Sequence, residues 1–160
     1  MYEYFYKKIN SPIGNLYLVS DNTHLRAVIY EKKRNDFQDI FKNASAKENS
    51  LINIAELQLA EYFNRQRKTF DLPCYFDGTD FQIKAWNSLI EIPYGTTISY
   101  LEQAQLAGNI KAVRAIGHAN SLNPISIIIP CHRVIGKSGK LIGYGGGLDS
   151  KQYLISLEQN

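Results

Sequence analysis

The sequence predicts a two-domain α/β protein with a mixed first half and a mostly helical second half. Short extended runs separated by turns occupy the first 30 residues, and one amphipathic helical pattern follows at residues 51–63. A turn-rich stretch at residues 69–78 then separates them from capped helices and a glycine-rich loop. We therefore predict domains at residues 1–72 and 73–160.

Composition favours a reduced intracellular protein. The 160 residues are enough to bury a core without staples. Cys74 and Cys131 lack paired spacing and have no neighbouring pair of histidines, so neither a disulfide framework nor a zinc site is indicated. No apolar run has the length of a membrane span. We expect a cytoplasmic protein with no metal and no other cofactor.

The charge distribution indicates an anionic partner. The net charge is only +3, but residues 103–148 contain no Asp or Glu. The cations of this stretch are Lys111, Arg114, Arg133, Lys137 and Lys140. A positive field without nearby carboxylates favours nucleic acid as a ligand. The alternative is a basic surface that only keeps the protein soluble.

The first half predicts strands with a helix behind them. The strand runs are residues 2–6, 16–19 and 27–30, with turns at Ser11–Asn15 and Asp21-Asn22. Residues 31–50 are polar and are typical of an exposed connection or a short surface helix. The helical pattern of residues 51–63 completes the first domain.

The second half predicts a series of capped helices. Thr79 and Gln82 can form a capping box that starts a helix with Trp86 in its core-facing stripe. Ser99 and Glu102 form a second capping box, and Gly108 ends that helix. We expect a last helix, capped by Asp149 or Ser150, near the end of the chain.

A helix-turn-helix is predicted where the second of these helices meets a third. Asn109 can cap a helix from Lys111 to Ala119. Its surface combines one long cation with small residues: Arg114, Ala112, Ala115 and Gly117. Small residues allow close backbone approach to a ligand, which suits a narrow minor groove. Many helical corners of this kind bind nothing, so the pattern alone is weak.

The run of isoleucines at residues 125–129 predicts a strand that stops at Pro130. Cys131 and His132 follow directly, where reactive groups can be held rigidly. Neighbouring residues of a straight strand point to opposite sides. Cys131 and His132 can therefore act together only if the chain turns at these residues. A buried, inert cysteine beside an incidental histidine is the alternative. The glycines of residues 143–147 are interpreted as one wall of a pocket.

Several short segments follow one another in the second half of the chain: Gly78–Gln82, Ile92–Thr96, Ser99-Tyr100, Arg114–Gly117, Asn123-Pro124, Pro130–Val134, Gly143-Tyr144 and Gly146–Leu148. Together, and in this order, they resemble the O6-alkylguanine-DNA alkyltransferases, also called methylated-DNA-protein-cysteine methyltransferases. The resemblance covers Gly78 to Glu158. A looser resemblance at Ser11–Gly14 implies a ribonuclease-H-like first domain, followed by a winged-helix second domain.

The resemblance implies a single-turnover reaction. Cys131 would accept the alkyl group after its proton passes through a water to His132, which Glu158 orients. Tyr100 would push the damaged nucleotide out of the duplex and hydrogen-bond the base, and Arg114 would fill the gap in the stack.

Further roles follow from the same resemblance. Asn123 would be a hinge between the second helix of the helix-turn-helix and the cysteine turn. The DNA-binding set would be Tyr100, Arg114, Ala112, Ala115, Gly117 and Lys111. The substrate pocket would contain Tyr144, Gly145, Gly146, Val134 and Lys151.

The expected partner is duplex DNA containing O6-alkylguanine, and also O4-alkylthymine, bound through the minor groove by a monomer; cooperative binding is left open.

Two other classes of function compete with alkyl transfer. A winged-helix module would bind DNA without reacting, although non-reacting relatives lack the acceptor cysteine. A thiol hydrolase would use Cys131 and His132, but no oxyanion site is evident.

Overall fold

The structure, a computed structural model, describes residues 3–160. The predicted strand position at Tyr2 lies outside the described residues. Contacts divide the described chain into two compact units. The first contains the residues up to Phe76 and, in addition, Pro124–Ile128, whereas the second contains Asp77–Asn123 and Ile129–Asn160. The domain boundary between residues 72 and 73 stays a prediction.

The first unit is built on a four-stranded sheet in the order β3-β2-β1-β4. Strands β1 (Tyr4–Ile9), β2 (Leu16–Ser20) and β3 (Leu25–Tyr30) form an antiparallel meander. Strand β4 (Ala44–Ser45) pairs parallel with β1. The three predicted strands are confirmed, but β4 was missed because two residues are too short to show a period.

A 3₁₀ helix and two α-helices follow the meander of the first unit. A 3₁₀ helix at Glu31–Phe37 leads into α1 (Gln38–Phe41), which confirms the predicted surface helix. Helix α2 (Ser50–Phe63) begins at Asn49, whose side-chain oxygen accepts a hydrogen bond from the Ile52 amide at 2.9 Å. Its buried residues include Ile52, Ala55, Leu59 and Tyr62.

The predicted linker is tied to the sheet along part of its length. The Leu25 amide of β3 donates to the Pro73 carbonyl at 2.7 Å, and the Tyr75 amide donates back to the Leu25 carbonyl at 3.0 Å. The Gln58 side chain also bonds both backbone groups of Asp71. Residues 69–78 are therefore not a free connection.

The predicted strand at Ile125–Ile129 is wrong, since the segment forms isolated bridges rather than a strand. The Val28 amide of β3 donates to the Pro124 carbonyl at 2.9 Å, and the Ser126 amide donates to the Val28 carbonyl at 3.0 Å. The chain then turns, because Ile127 has a φ of +74° and the Ile128 amide donates to the Ser126 carbonyl. A left-handed conformation is rare for a β-branched residue, so the residue types gave no sign of it.

The second unit contains four α-helices. They are α3 (Asp80–Ile90), α4 (Tyr100–Leu106), α5 (Val113–Ser121) and α6 (Leu148–Gln159). The capping boxes predicted for α3 and α4 are both present. Helices α4 and α5 pack around Ala104, Ile116 and Ala119, and the buried Trp86 donates its indole N–H to the Ala119 carbonyl at 2.9 Å. The predicted core role of Trp86 is confirmed.

Two predicted helix starts in this unit are wrong. The Asn109 side chain accepts from the Lys111 amide at 3.1 Å, which makes a separate turn, so α5 begins only at Val113. Helix α6 begins at Leu148, directly after Gly147, which has a φ of +91°. Asp149 and Ser150 therefore lie inside the first turn rather than before it.

A short parallel pairing joins the start of α4 to the chain that follows the cysteine. Strand β5 (Ile98–Ser99) pairs with β6 (Val134–Ile135) in the register Ile98 to Val134. This pairing places Tyr100, the first residue of α4, close to the cysteine turn. Among the described residues no helix is both long and apolar enough to cross a membrane.

Candidate active site and nucleic-acid interface

The predicted turn at the cysteine is confirmed. Residues Cys131–Arg133 form a single 3₁₀ turn, and all three are buried. Pro130 precedes it with φ −84° and ψ 64°, and the Cys131 amide donates to the Ile129 carbonyl at 2.9 Å. These features describe an inverse γ-turn, which redirects the chain directly before Cys131. Cys131 and His132 can therefore serve one site.

Asn123 holds this turn from the other side. Its side-chain amide nitrogen donates to the Ile129 carbonyl at 2.8 Å and lies 3.3 Å from the Cys131 sulfur. Asn123 is itself buried and follows α5 in the chain. One amide group therefore connects the end of α5 with the cysteine turn.

A buried ionic cluster lies next to the cysteine. Nε2 of His132 is 2.5 Å from Oε2 of Glu158. The Arg133 guanidinium donates to Oε1 of the same carboxylate at 2.7 Å and to the Ile92 carbonyl at 2.7 Å. The Gly95 amide adds a bond to Glu158 at 3.2 Å. Buried charges require partners, so each group of this cluster depends on the presence of the others.

The charges of the cluster decide how the imidazole is protonated. Burial lowers the pKa of His132, so the ring is neutral at neutral pH. Burial by itself would raise the pKa of Glu158, but its hydrogen bonds to His132 and Arg133 and the nearby positive charge lower it to about 2. The ionised Glu158 accepts a hydrogen bond from the N–H at Nε2 of the neutral ring, so Nδ1 carries the free lone pair. Among the described residues, no group hydrogen-bonds that buried Nδ1.

The thiol of Cys131 is held in its protonated form in the free protein. Burial raises its pKa, while the Asn123 amide and the Lys151 ammonium act in the opposite direction. A thiol needs to be deprotonated to act as a nucleophile. The arrangement therefore requires a base, and the lone pair on Nδ1 of His132 is the group that can supply one.

Lys151 and Tyr100 meet at one backbone carbonyl. The Lys151 ammonium donates to the Ile142 oxygen at 3.1 Å, and the Tyr100 hydroxyl donates to the same oxygen at 3.0 Å. Lys151 is almost fully buried, and both residues couple electrostatically to Cys131. Lys151 and Glu158 lie seven residues apart on α6, so both face the cysteine turn.

The other predicted pocket residues differ in how far they are buried. Val134 and Gly146 are buried, whereas Tyr144 and Gly145 are half-buried. Val134 follows the cysteine turn in β6, and the Tyr144 carbonyl accepts from the Gly147 amide at 2.9 Å in a turn before α6.

The predicted DNA-binding residues lie on or just before α5. Arg114, Ala115 and Lys111 are exposed, and Ala112 is the N-cap of the helix. Gly117 lies beside the Tyr100 ring, where an added Cβ would make an ordinary contact at 3.7 Å. The lean surface is therefore an observed property of this helix.

One predicted member of the positive surface is wrong. Arg133 is only 8% exposed and is paired with Glu158, which lies outside the carboxylate-free stretch. The pairing could not be predicted from the sequence, because 25 residues separate Arg133 from Glu158. The exposed field of that stretch therefore comes from the other cations.

Two family descriptions match the chain. The "6-O-methylguanine DNA methyltransferase, DNA binding domain" matches residues 80–160, and the "6-O-methylguanine DNA methyltransferase, ribonuclease-like domain" matches residues 4–76. A methylated-DNA-protein-cysteine methyltransferase of Methanosarcina acetivorans is 44% identical over 154 residues, which cover 96% of this chain and 97% of the relative. The chain belongs to the 6-O-methylguanine DNA methyltransferase family.

Further members of the 6-O-methylguanine DNA methyltransferase family match over similar lengths. The constitutive methylated-DNA-protein-cysteine methyltransferase of Bacillus subtilis is 39% identical over 157 residues, covering 97% of this chain and 95% of the relative. The crystal structure of Mycobacterium tuberculosis OGT in complex with DNA has a TM-score of 0.88 at 41% identity, covering 97% and 92% of the two chains. The predicted family and the two-domain fold, with its ribonuclease-like first domain, are confirmed.

Sequence reasoning missed three contributors to this family member's site. They are the guanidinium of Arg133, the Gly95 amide and the Ile142 carbonyl. The Pro93-Tyr94-Gly95 turn was recognised, and Gly95 has the φ of +80° that favours glycine. Its approach to Glu158 was not predictable, because 63 residues separate the two.

Proposed function

We propose that this protein repairs DNA by direct reversal, moving the alkyl group of O6-alkylguanine in a duplex onto Cys131. The observation that carries the proposal is the buried thiol beside a neutral histidine with a free Nδ1 and an anchored Nε2. The family relationship and the DNA complex of the similar M. tuberculosis protein support DNA as the partner.

Activation begins with proton removal from the thiol. Nδ1 of His132 would take the proton of Cys131 through one water molecule, and Glu158 would stabilise the imidazolium that forms. The nearby Lys151 ammonium and Asn123 amide favour the thiolate once it appears, since each lowers the pKa of the thiol.

Transfer is then a single displacement at carbon. The Cys131 thiolate attacks the alkyl carbon, a carbon–sulfur bond forms, and the bond from that carbon to O6 breaks with its electron pair on guanine. A proton returns to the base, so the thiol proton ends on restored guanine. The thioether that remains does not hydrolyse under ordinary conditions, so each molecule would act once and irreversibly.

The target base must leave the duplex before Cys131 can reach it. We assign Tyr100 to pushing the nucleotide out and binding the base, and Arg114 to filling the vacated space. Ala112, Ala115 and Gly117 would allow close approach in the minor groove, and Lys111 would contact the backbone. Tyr144, Gly145, Gly146, Val134 and Lys151 would form the pocket.

The proposed function also includes the oligomeric state, the location, a second substrate and the two domains of the protein. The protein would act as a monomer in the cytoplasm, and O4-alkylthymine would be a second substrate. Domains at residues 1–72 and 73–160 would be the repair protein's two functional parts.

Mass spectrometry of the protein after incubation with a duplex containing O6-methylguanine tests the proposal. We expect the mass gain of one methyl group, located on the peptide that contains Cys131. The matched control is Cys131→Ser, which should retain salt-sensitive DNA binding but gain no mass. A Cys131→Ser protein that still removes the methyl group from DNA would overturn the proposal.

A further inference from the structure

The chain reverses direction between Asn123 and the cysteine turn, and the reversal occurs at Ile127. Six fully extended residues span about 20 Å. The Asn123 side chain nevertheless lies 2.8 Å from the Ile129 carbonyl, six residues later. The return is made by the γ-turn in which the Ile128 amide donates to the Ser126 carbonyl around Ile127.

This turn is strained at the one residue on which it depends. Ile127 has a φ of +74°, in the left-handed region where a β-branched side chain crowds its own backbone. A γ-turn with a positive central φ is the rarer and more strained of the two forms. Strain of this kind persists only where the surroundings impose it, and it is concentrated at functional sites.

The surroundings of Ile127 do impose the turn. Its side chain is only 1% exposed. Just before it, Pro124 and Ser126 are fixed to both backbone groups of Val28 on β3. The segment Pro124–Ile128 belongs by its contacts to the first unit, whereas Asn123 and the chain from Ile129 onward belong to the second. The hydrogen bonds to β3 therefore fix the chain directly before the strained residue.

We propose that Ile127 is a positioning residue for alkyl transfer: its left-handed turn returns the chain so that Ile129 and Cys131 meet the Asn123 amide. This role rests on the proposed function, since the placed atom is the Cys131 sulfur that attacks the alkyl carbon. The segment in which the turn lies is fixed by its hydrogen bonds to Val28 of β3. Ile127 touches no reacting atom and acts through the direction of the backbone.

The test compares alanine and glycine at Ile127 with the same pair at Ile125. Both isoleucines are buried, but Ile127 alone of the two has a positive φ. Glycine is less stable than alanine at ordinary positions but adopts a left-handed conformation without a steric penalty. We expect Ile127→Gly to have the higher melting temperature of its pair, and Ile125→Gly to have the lower.

The functional readout is the transfer rate at saturating methylated duplex, with DNA affinity measured separately. A misplacement of about 1 Å can slow a reaction on the order of a hundredfold, so Ile127→Ala should react at least about tenfold more slowly than Ile127→Gly. Both variants should bind DNA with indistinguishable affinity, which a general loss of structure would not allow. If only Ile127→Gly folds, a transfer rate within about tenfold of the wild type supports the role and a greater loss overturns it.

Other outcomes separate the two claims. The positioning role would be overturned by equal transfer rates in the Ile127 pair, by a faster Ile127→Ala, or by failure of both variants to fold. In each of these cases, methyl transfer by the wild type leaves the proposed function intact. A wild-type protein that transfers no methyl group overturns the proposed function, and the positioning role with it.

Discussion

His132 and Glu158 form a buried pair in which Nε2 lies 2.5 Å from the carboxylate, with side chains that are 0% and 2% exposed. The pair fixes which imidazole nitrogen is available to the thiol. Glu158 accepts a hydrogen bond from the N–H at Nε2, so Nδ1 is left as the basic atom on the ring. The proposed acceptor thiol and its proposed base are therefore neighbours in sequence, but the carboxylate bonded to His132 comes from α6.

Removing the base should slow transfer without weakening DNA binding. In His132→Gln the side chain keeps a hydrogen bond to Glu158 but loses a titratable nitrogen. General bases contribute roughly 10²–10⁴-fold, so single-turnover transfer at neutral pH should fall by about that factor. The fall should shrink as pH rises, because hydroxide then deprotonates the thiol. A rate equal to that of the wild type at neutral pH would exclude His132 as the base.

Glu158 should make stability depend on pH in the acid range. Its pKa is about 2 in the folded protein and 4.5 ordinarily, so the contribution is fully present above pH 4.5. It is lost as pH falls from 4.5 towards 2, because the unfolded chain takes up the proton first. The total is on the order of 3 kcal/mol for this almost fully buried side chain.

Urea unfolding of the wild type and Glu158→Gln at a series of pH values checks this. The variant should be less stable at neutral pH, since Arg133 loses its charged partner. The informative quantity is the slope: between pH 4.5 and 2 the variant should lose less stability than the wild type. Parallel curves would show that the carboxylate is not held ionised.

Alkylation should destabilise the folded protein. The Cys131 sulfur lies 3.3 Å from the Asn123 amide, so a methyl group on sulfur must enter an occupied space. Overpacking a buried site costs about 1–3 kcal/mol. The methylated protein should therefore melt at a lower temperature than the same preparation before reaction. Asn123→Ala should reduce the difference between the two forms, and equal melting temperatures in the wild type would argue against a crowded site.

Arg114 should matter more for transfer than for binding. It is exposed on α5 among small residues, where it can occupy the space left by the extruded base. Arg114→Ala should slow transfer by roughly tenfold or more, in line with the few kcal/mol that unstacking a base costs. The control is Lys84→Ala, an exposed cation on α3 that should change neither quantity. Equal effects of the two changes would remove the special role of Arg114.

Local chemistry was predictable from the sequence, and long-range pairing was not. The capping boxes at Thr79 and Ser99 and the turn at Cys131 depend on a few adjacent residues, and all are present. The partner of Arg133 lies 25 residues away, so its burial was not foreseen. The left-handed Ile127 contradicts its own residue type, because the hydrogen bonds to β3 and burial override local preference.

The central claim is that Cys131 is consumed rather than recycled, and the number of methyl groups transferred per protein measures this most directly. With excess O6-methylguanine duplex, the amount of repaired guanine should rise and then stop at one per protein molecule, with every molecule carrying a methylated Cys131. Continued repair beyond one equivalent, with the thiol unmodified, would contradict the account.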